Sequence, residues 1–193
     1  MGRAADTVRL FFALWPDATL QGKLAAWAKQ AAGRGRAMRR ENIHLTLAFL
    51  GDTDRALLPE LNALASEVRF DAIRLRLDCV GYWLHNRIIW CGASEEQHAL
   101  AALVADLLAR LAAAGVRYDP KPFVSHVTLV RNASALPDVP AWVPLVWEAA
   151  DFALVSSTRV EGRVVAYQVL QRFHVADANN LNVTAKMSKS RLL

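Results

Sequence analysis

Apolar and polar positions follow two rhythms along this chain, and the switches between them mark out its elements. Val8 to Leu14 (VRLFFAL) is short, apolar and rich in β-formers, and Trp15-Pro16-Asp17 ends it, which predicts a strand and a turn. From Ala18 to Ala32, Leu20, Leu24, Trp27, Ala28 and Ala31 recur at helical spacing, with Asp17 placed to cap the helix and Gly33 to stop it. After a basic linker, Arg34 to Glu41, the segment Ile43 to Leu50 (IHLTLAFL) alternates as a strand that closes at Gly51. Leu57, Leu61, Leu64 and Val68 predict a second helix, and Pro59 is tolerated in its first turn, where no intrahelical N–H bond is lost. Ile73, Leu75, Leu77 and Cys79 alternate with Arg74, Arg76 and Asp78, so Ile73 to Val80 reads as one half-buried strand.

A turn near Leu84 to Asn86 leads into a strand over Arg87 to Cys91. A Ser94/Gln97 capping box then opens a helix whose Leu100, Leu103, Val104, Leu107, Leu108 and Leu111 form an apolar stripe that Gly115 ends. Phe123 to Arg131 is the next strand, and Ala133 to Trp147, with three prolines, reads as a loop or irregular edge. Asp151 to Ser156 and Arg163 to Leu170 read as a hairpin around Glu161-Gly162. From about Asp177 the periodicity fades, so residues 1–176 are expected to form a single bilobal domain and 177–193 a flexible C-terminal tail.

The order strand, helix, linker, strand with His-x-Thr-Leu occurs twice. His44 and His126 lie 82 residues apart (126 minus 44), and the strands opening each unit, near Phe12 and Ile89, are about as far apart. Two copies at this spacing imply a duplicated lobe rather than a solenoid, which needs three or more units. The expected fold is α+β: two pseudo-symmetric α/β lobes with antiparallel-rich sheets facing a central cleft, where a site would lie.

With 193 residues the chain can bury one sizeable core, and 54% hydrophobic content excludes wholesale disorder. No window reaches the roughly eighteen uninterrupted apolar residues of a membrane span, and Met1 to Val8 lacks the apolar core of a secretory signal. Cys79 and Cys91 alone support neither a disulfide scaffold nor a thiolate metal site, so a cytoplasmic protein is expected. An excess of 23 Lys+Arg over 18 Asp+Glu favours an anionic partner such as RNA or a phosphorylated metabolite.

Residues i and i+2 of a strand share a face, so His44 points with Thr46 and His126 with Thr128. Polar side chains on otherwise apolar strands are costly unless bonded, and here they recur in the same register. One His-x-Thr is most simply a satisfied core histidine on a strand that favours threonine; two, each ending a repeat unit, point to function. Paired imidazoles supply a general acid and a general base suited to phosphodiester hydrolysis, and the threonine hydroxyls can hold phosphoryl oxygens. Symmetry does not say which histidine is which.

These segments carry a family resemblance. RLFFALWPD (Arg9 to Asp17), ENIHLTLAFLGD (Glu41 to Asp52), HVTLVR (His126 to Arg131) and AYQVLQRF (Ala166 to Phe173) resemble the 2H phosphoesterase superfamily, and within it the bacterial RNA 2',3'-cyclic phosphodiesterases, also called 2'-5' RNA ligases. Ser125 stands where a proline commonly precedes the second histidine. The resemblance implies the LigT-like fold, with His44 donating a proton to the leaving ribose oxygen and His126 activating water. Thr46, Thr128 and Arg131 would grip the phosphate, with no metal and no cofactor. The implied substrate is RNA ending in a 2',3'-cyclic phosphate, or a related cyclic nucleotide, opened to a 2'-phosphate by a protein expected to be a monomer without membrane partners. The alternatives are 2'-5' RNA ligation at the same site and a non-catalytic RNA- or nucleotide-binding module. Arg131 differs in parity from Thr128, so reaching the cleft requires a bend or bulge between them, or the end of the strand.

Other signals weigh less. Lys186 to Ser190 (KMSKS) matches an aminoacyl-tRNA synthetase signature, but the chain has neither the accompanying HIGH-type motif nor the length. Arg34, Arg36, Arg39 and Arg40 could meet RNA phosphates or simply face water. His85, His98 and His174 lack metal-ligand spacing. Among Phe11, Phe12, Trp15, Tyr82 and Trp83, base stacking competes with a place in the core.

Overall fold

The computed structural model describes residues 6–136, 141–160 and 163–175. The expected flexible tail, the KMSKS segment and the Glu161-Gly162 turn all fall outside these. The chain runs β1 (Thr7–Leu14), α1 (Ala18–Ala31), β2 (Arg36–Ala37), β3 (Leu45–Asp54), α2 (Leu58–Ser66), β4 (Ile73–Leu77), β5 (Cys79–Trp83), β6 (Ile88–Gly92), α3 (His98–Ala113), β7 (Val127–Arg131), β8 (Leu145–Ala149), β9 (Asp151–Val160) and β10 (Arg163–His174). One sheet holds eight strands in the order β10-β9-β1-β3-β7-β6-β5, with β2 added to β7; β4 and β8 form a second sheet. The strand pairs are antiparallel, giving the α+β architecture expected from the sequence.

Alternation along β1 positions both layers. Leu10, Phe12 and Leu14 enter the main core with the buried faces of α1 (Leu20, Leu24, Ala28) and α3 (Leu100, Leu103, Leu107). Phe11 and Ala13 pack on the other side of the sheet with Ala153 and Val155, among Trp15, Phe49 and Tyr167. Each large side chain so buried contributes about 1.5–3 kcal/mol, which fixes the helices to one face and leaves the aromatic face for the site. The Asp17 side chain accepts from the Leu20 N–H at 2.7 Å, and Gly33 and Gly115 follow α1 and α3 at positive φ, as helix ends require.

Five sequence expectations are corrected. Ile73 to Val80 is not one strand: it breaks at Asp78, with β4 joining the small sheet and β5 the large one, and the shared alternation conceals the break. The Ser94/Gln97 capping box does not form, because Ser94 bonds Asp78 through its N–H (2.8 Å) and hydroxyl (3.0 Å), and α3 begins at His98. Paired strand begins at Val127 rather than Phe123, while β3 runs through Gly51 to Asp54. The segment read as a loop up to Trp147 contains the start of β8, whose partner β4 is distant in sequence.

Candidate active site

The two His-x-Thr segments meet where β3 touches β7. A single ladder pair, Leu45 with Val127, joins the strands, and these two side chains are fully buried. Carrying that antiparallel register one residue either way sets His44 opposite Thr128 and Thr46 opposite His126, all on the face away from Leu45 and Val127. A cavity of about 700 Å³ is lined by all five residues picked out from the sequence: His44, Thr46, His126, Thr128 and Arg131.

The imidazoles are held alike. Nδ1 of His44 donates to the Asn42 carbonyl at 2.7 Å, and Nδ1 of His126 to the Val124 carbonyl at 2.8 Å, two residues upstream in each case. This fixes the neutral tautomer with an unprotonated Nε2. At His44 that nitrogen accepts from the Thr46 hydroxyl at 3.2 Å. Trp15 stacks on His44 (5.2 Å between centroids, 8° between planes), Phe11 lies at 4.9 Å and the edge of Tyr167 at 5.1 Å; Trp83 meets His126 edge-on at 4.6 Å.

Burial lowers both histidines below their usual range. It takes His44 to about 4: the Asn42 carbonyl pulls upward, while the charges of Arg131 and His126 push further down. For His126 the order is burial, an opposing Val124 carbonyl, then Arg131. Both rings therefore rest neutral near pH 7 beside a guanidinium.

A register shift brings Arg131 to the cavity. Opposite β6, Ile89 faces Val130 while the next residue, Trp90, faces Thr128, so Leu129 is the extra residue of a bulge. The strand bends between Thr128 and Arg131, as the position of the arginine requires. β3 repeats the device: Phe12 faces Ala48 and Ala13 faces Thr46, making Leu47 the extra residue and turning Phe49 to the cavity.

A second cavity of about 540 Å³ shares His44, Thr46, Phe49 and Arg131 and extends past Arg9, Arg36 and Arg39. Of the four linker arginines, Arg36 and Arg39 line this cavity, whereas Arg40 bonds the Ala18 carbonyl and Arg34 lines neither cavity. Of the other histidines, His85 lines the larger cavity and His174 lies 3.8 Å from Asp151. Among the described residues, no group of three or more His, Cys, Asp or Glu side chains is placed to hold a metal, and no helix is long and apolar enough to cross a membrane. Sequence reasoning did not single out Phe49 or Tyr167. Phe49 was legible only through the bulge, and Tyr167 reaches His44 from a strand far along the chain.

A fold with two His-x-Thr segments abutting at one ladder pair, with Arg131 lining the same cavity, defines a two-histidine phosphoesterase. Residues 14–90 match the family described as LigT like Phosphoesterase. The RNA 2',3'-cyclic phosphodiesterase of Escherichia coli is 33% identical over 88% of this chain and 97% of its own, and that of Thermus thermophilus is 32% identical over 86% and 89%. The crystal structure of E. coli LigT complexed with 3'-AMP superposes with a TM-score of 0.78 at 32% identity, covering 89% of this chain and 100% of that one. The chain belongs to the LigT-like phosphoesterase family, the 2H phosphoesterases, and is an enzyme.

Proposed function

We propose that this enzyme hydrolyses RNA 2',3'-cyclic phosphate ends to 2'-phosphomonoester ends by paired-histidine acid–base catalysis. The observation that carries the reading is the convergence of two identically tethered imidazoles and one guanidinium on a single cavity. His126 Nε2 takes a proton from water as its oxygen bonds to phosphorus; the bond from phosphorus to the 3' oxygen breaks, and His44 Nε2 gives that oxygen its proton. Thr46 and Thr128 hold phosphoryl oxygens, and Arg131 balances charge accumulating in the transition state.

His44 is neutral in the free site, so it acquires its proton with substrate. An anionic phosphoryl group beside the ring offsets Arg131 and raises the His44 pKa from about 4. The names of the E. coli and T. thermophilus relatives support the substrate class, and acid, base and counter-charge are all side chains of this chain. Incubation with an oligonucleotide bearing a 2',3'-cyclic phosphate, in EDTA, should give the 2'-phosphate isomer. Accumulation of the 3'-phosphate, or loss of turnover with EDTA, would overturn the reading.

A further inference from the structure

We infer that the arginine-lined cavity beside the catalytic pair is a subsite for the internucleotide phosphate on the 5' side of the reacting nucleotide. The enzyme is thereby built for the end of a chain rather than a free cyclic mononucleotide. This rests on the proposed reaction and extends it to the second residue of the substrate.

Three features support the subsite. Arg9, Arg36 and Arg39 line it together with Arg131, and no Asp or Glu is among its described lining residues. Arg9 lies 3.5 Å from Asp52, so one neighbouring carboxylate faces four cations, and the balance suits an anion. It shares His44, Thr46, Phe49 and Arg131 with the larger cavity, so an anion held there belongs to the same molecule as the reacting phosphate. A cyclic phosphate terminus has a continuing chain only through its 5' oxygen, and the first charge met in that direction is the next phosphate.

The backbone presents two of these arginines firmly. Arg36 lies in β2 opposite Arg131 of β7, and the Met38 N–H donates to the Leu129 carbonyl at 2.8 Å. A short strand that adds little to the core is thus laid along β7, with a cation beside the one that serves the reaction. Arg9, which lines the smaller cavity, lies at 4.5 Å over the ring of Phe49, which lines both.

The test compares kcat/KM for adenosine 2',3'-cyclic phosphate with that for the dinucleotide ApA ending in the same cyclic phosphate. The wild type should favour the dinucleotide by about tenfold or more. Arg36→Ala and Arg39→Ala should each cut that preference at least threefold while changing mononucleotide kcat/KM less than twofold. Arg36→Lys should retain part of the preference, since charge alone meets a phosphate in part. The salt dependence of dinucleotide binding should flatten in Arg36→Ala by about 0.7 in log–log slope, one phosphate contact on a single strand. A wild-type preference near unity, or equal losses on both substrates in the variants, would overturn the subsite. If the wild type opened neither substrate, the proposed reaction would fail, and binding of ApA 3'-phosphate against 3'-AMP would judge the subsite separately: equal affinities would overturn it, and tighter dinucleotide binding that Arg36→Ala abolishes would uphold it.

Discussion

Phe49 occupies in the first half of the molecule the place that Arg131 occupies in the second. Each follows its motif threonine by three residues (49 minus 46, 131 minus 128), and each reaches the cavity through a register shift just after that threonine. Burial follows the same order along both strands: buried, half-buried, buried, buried, half-buried. Nearly symmetric backbones thus present a ring on one side and a guanidinium on the other, so the two imidazoles face unequal surroundings.

That inequality makes Arg131 a sharp test. Arg131→Lys keeps the charge but loses the fixed pair of donors that fits phosphate. kcat/KM should fall roughly tenfold or more, with the circular dichroism spectrum unchanged. A lysine variant working at the wild-type rate would remove the arginine from the phosphate site.

His44→Ala and His126→Ala should each slow turnover roughly 10²- to 10⁴-fold, the usual worth of a general acid or base. The double variant should fall by less than the product, because in the proposed reaction both groups act on one transition state. Strict multiplicativity in single-turnover rates would argue against a concerted pair.

The low His44 pKa makes two statements about pH. With the folded value near 4 and the ordinary value 6.5, the unfolded chain binds the extra proton in between. The associated stability, on the order of 3 kcal/mol, is present above pH 6.5 and lost as pH falls through 4. An NMR titration of the His44 ring should give the low value, and Trp15→Ala, which opens the stacked face to water, should raise it. Because both histidines are lowered in the free enzyme, kcat/KM should peak below pH 6.5, with the kcat optimum displaced upward by bound phosphate. Coincident optima would mean the substrate does not recharge His44.

Gly81→Ala should reach the site from behind. Gly81 faces Trp90 across β5 and β6, and a methyl group there would overlap the indole ring. Trp90 lies 5.2 Å from Trp83, which in turn meets His126 edge-on. Overpacking should cost about 1–3 kcal/mol in denaturant unfolding and shift the His126 ring signals. Wild-type stability would show that the indole yields freely.

Where structure depends on near neighbours, the sequence was readable. The periodicity of α1 and α3 and the caps at Asp17, Gly33 and Gly115 are local, and the shared parity of His44 with Thr46 and of His126 with Thr128 needed only strand geometry. The need for a bulge before Arg131 was likewise legible, because its parity conflicted with the role implied by family resemblance. Hidden features depended on distant partners: β8 is a strand because β4 pairs with it, and Ser94 leaves the helix cap because Asp78 binds it. Tyr167 belongs to the site only because β9 and β10 fold back onto β1.

The bulge after each threonine also governs how this surface can be recoded. A library built on ordinary strand spacing would vary positions 46 and 48, or 128 and 130, and so would introduce polar side chains at Ala48 and Val130, which are 5% and 0% exposed. A library built on a step of three varies Thr46 with Phe49, and Thr128 with Arg131, and every changed position lines the cavity. An inserted residue thus becomes a reading frame: the same five-letter strand, shifted by one count, separates the positions open to new specificity from those that hold the protein together.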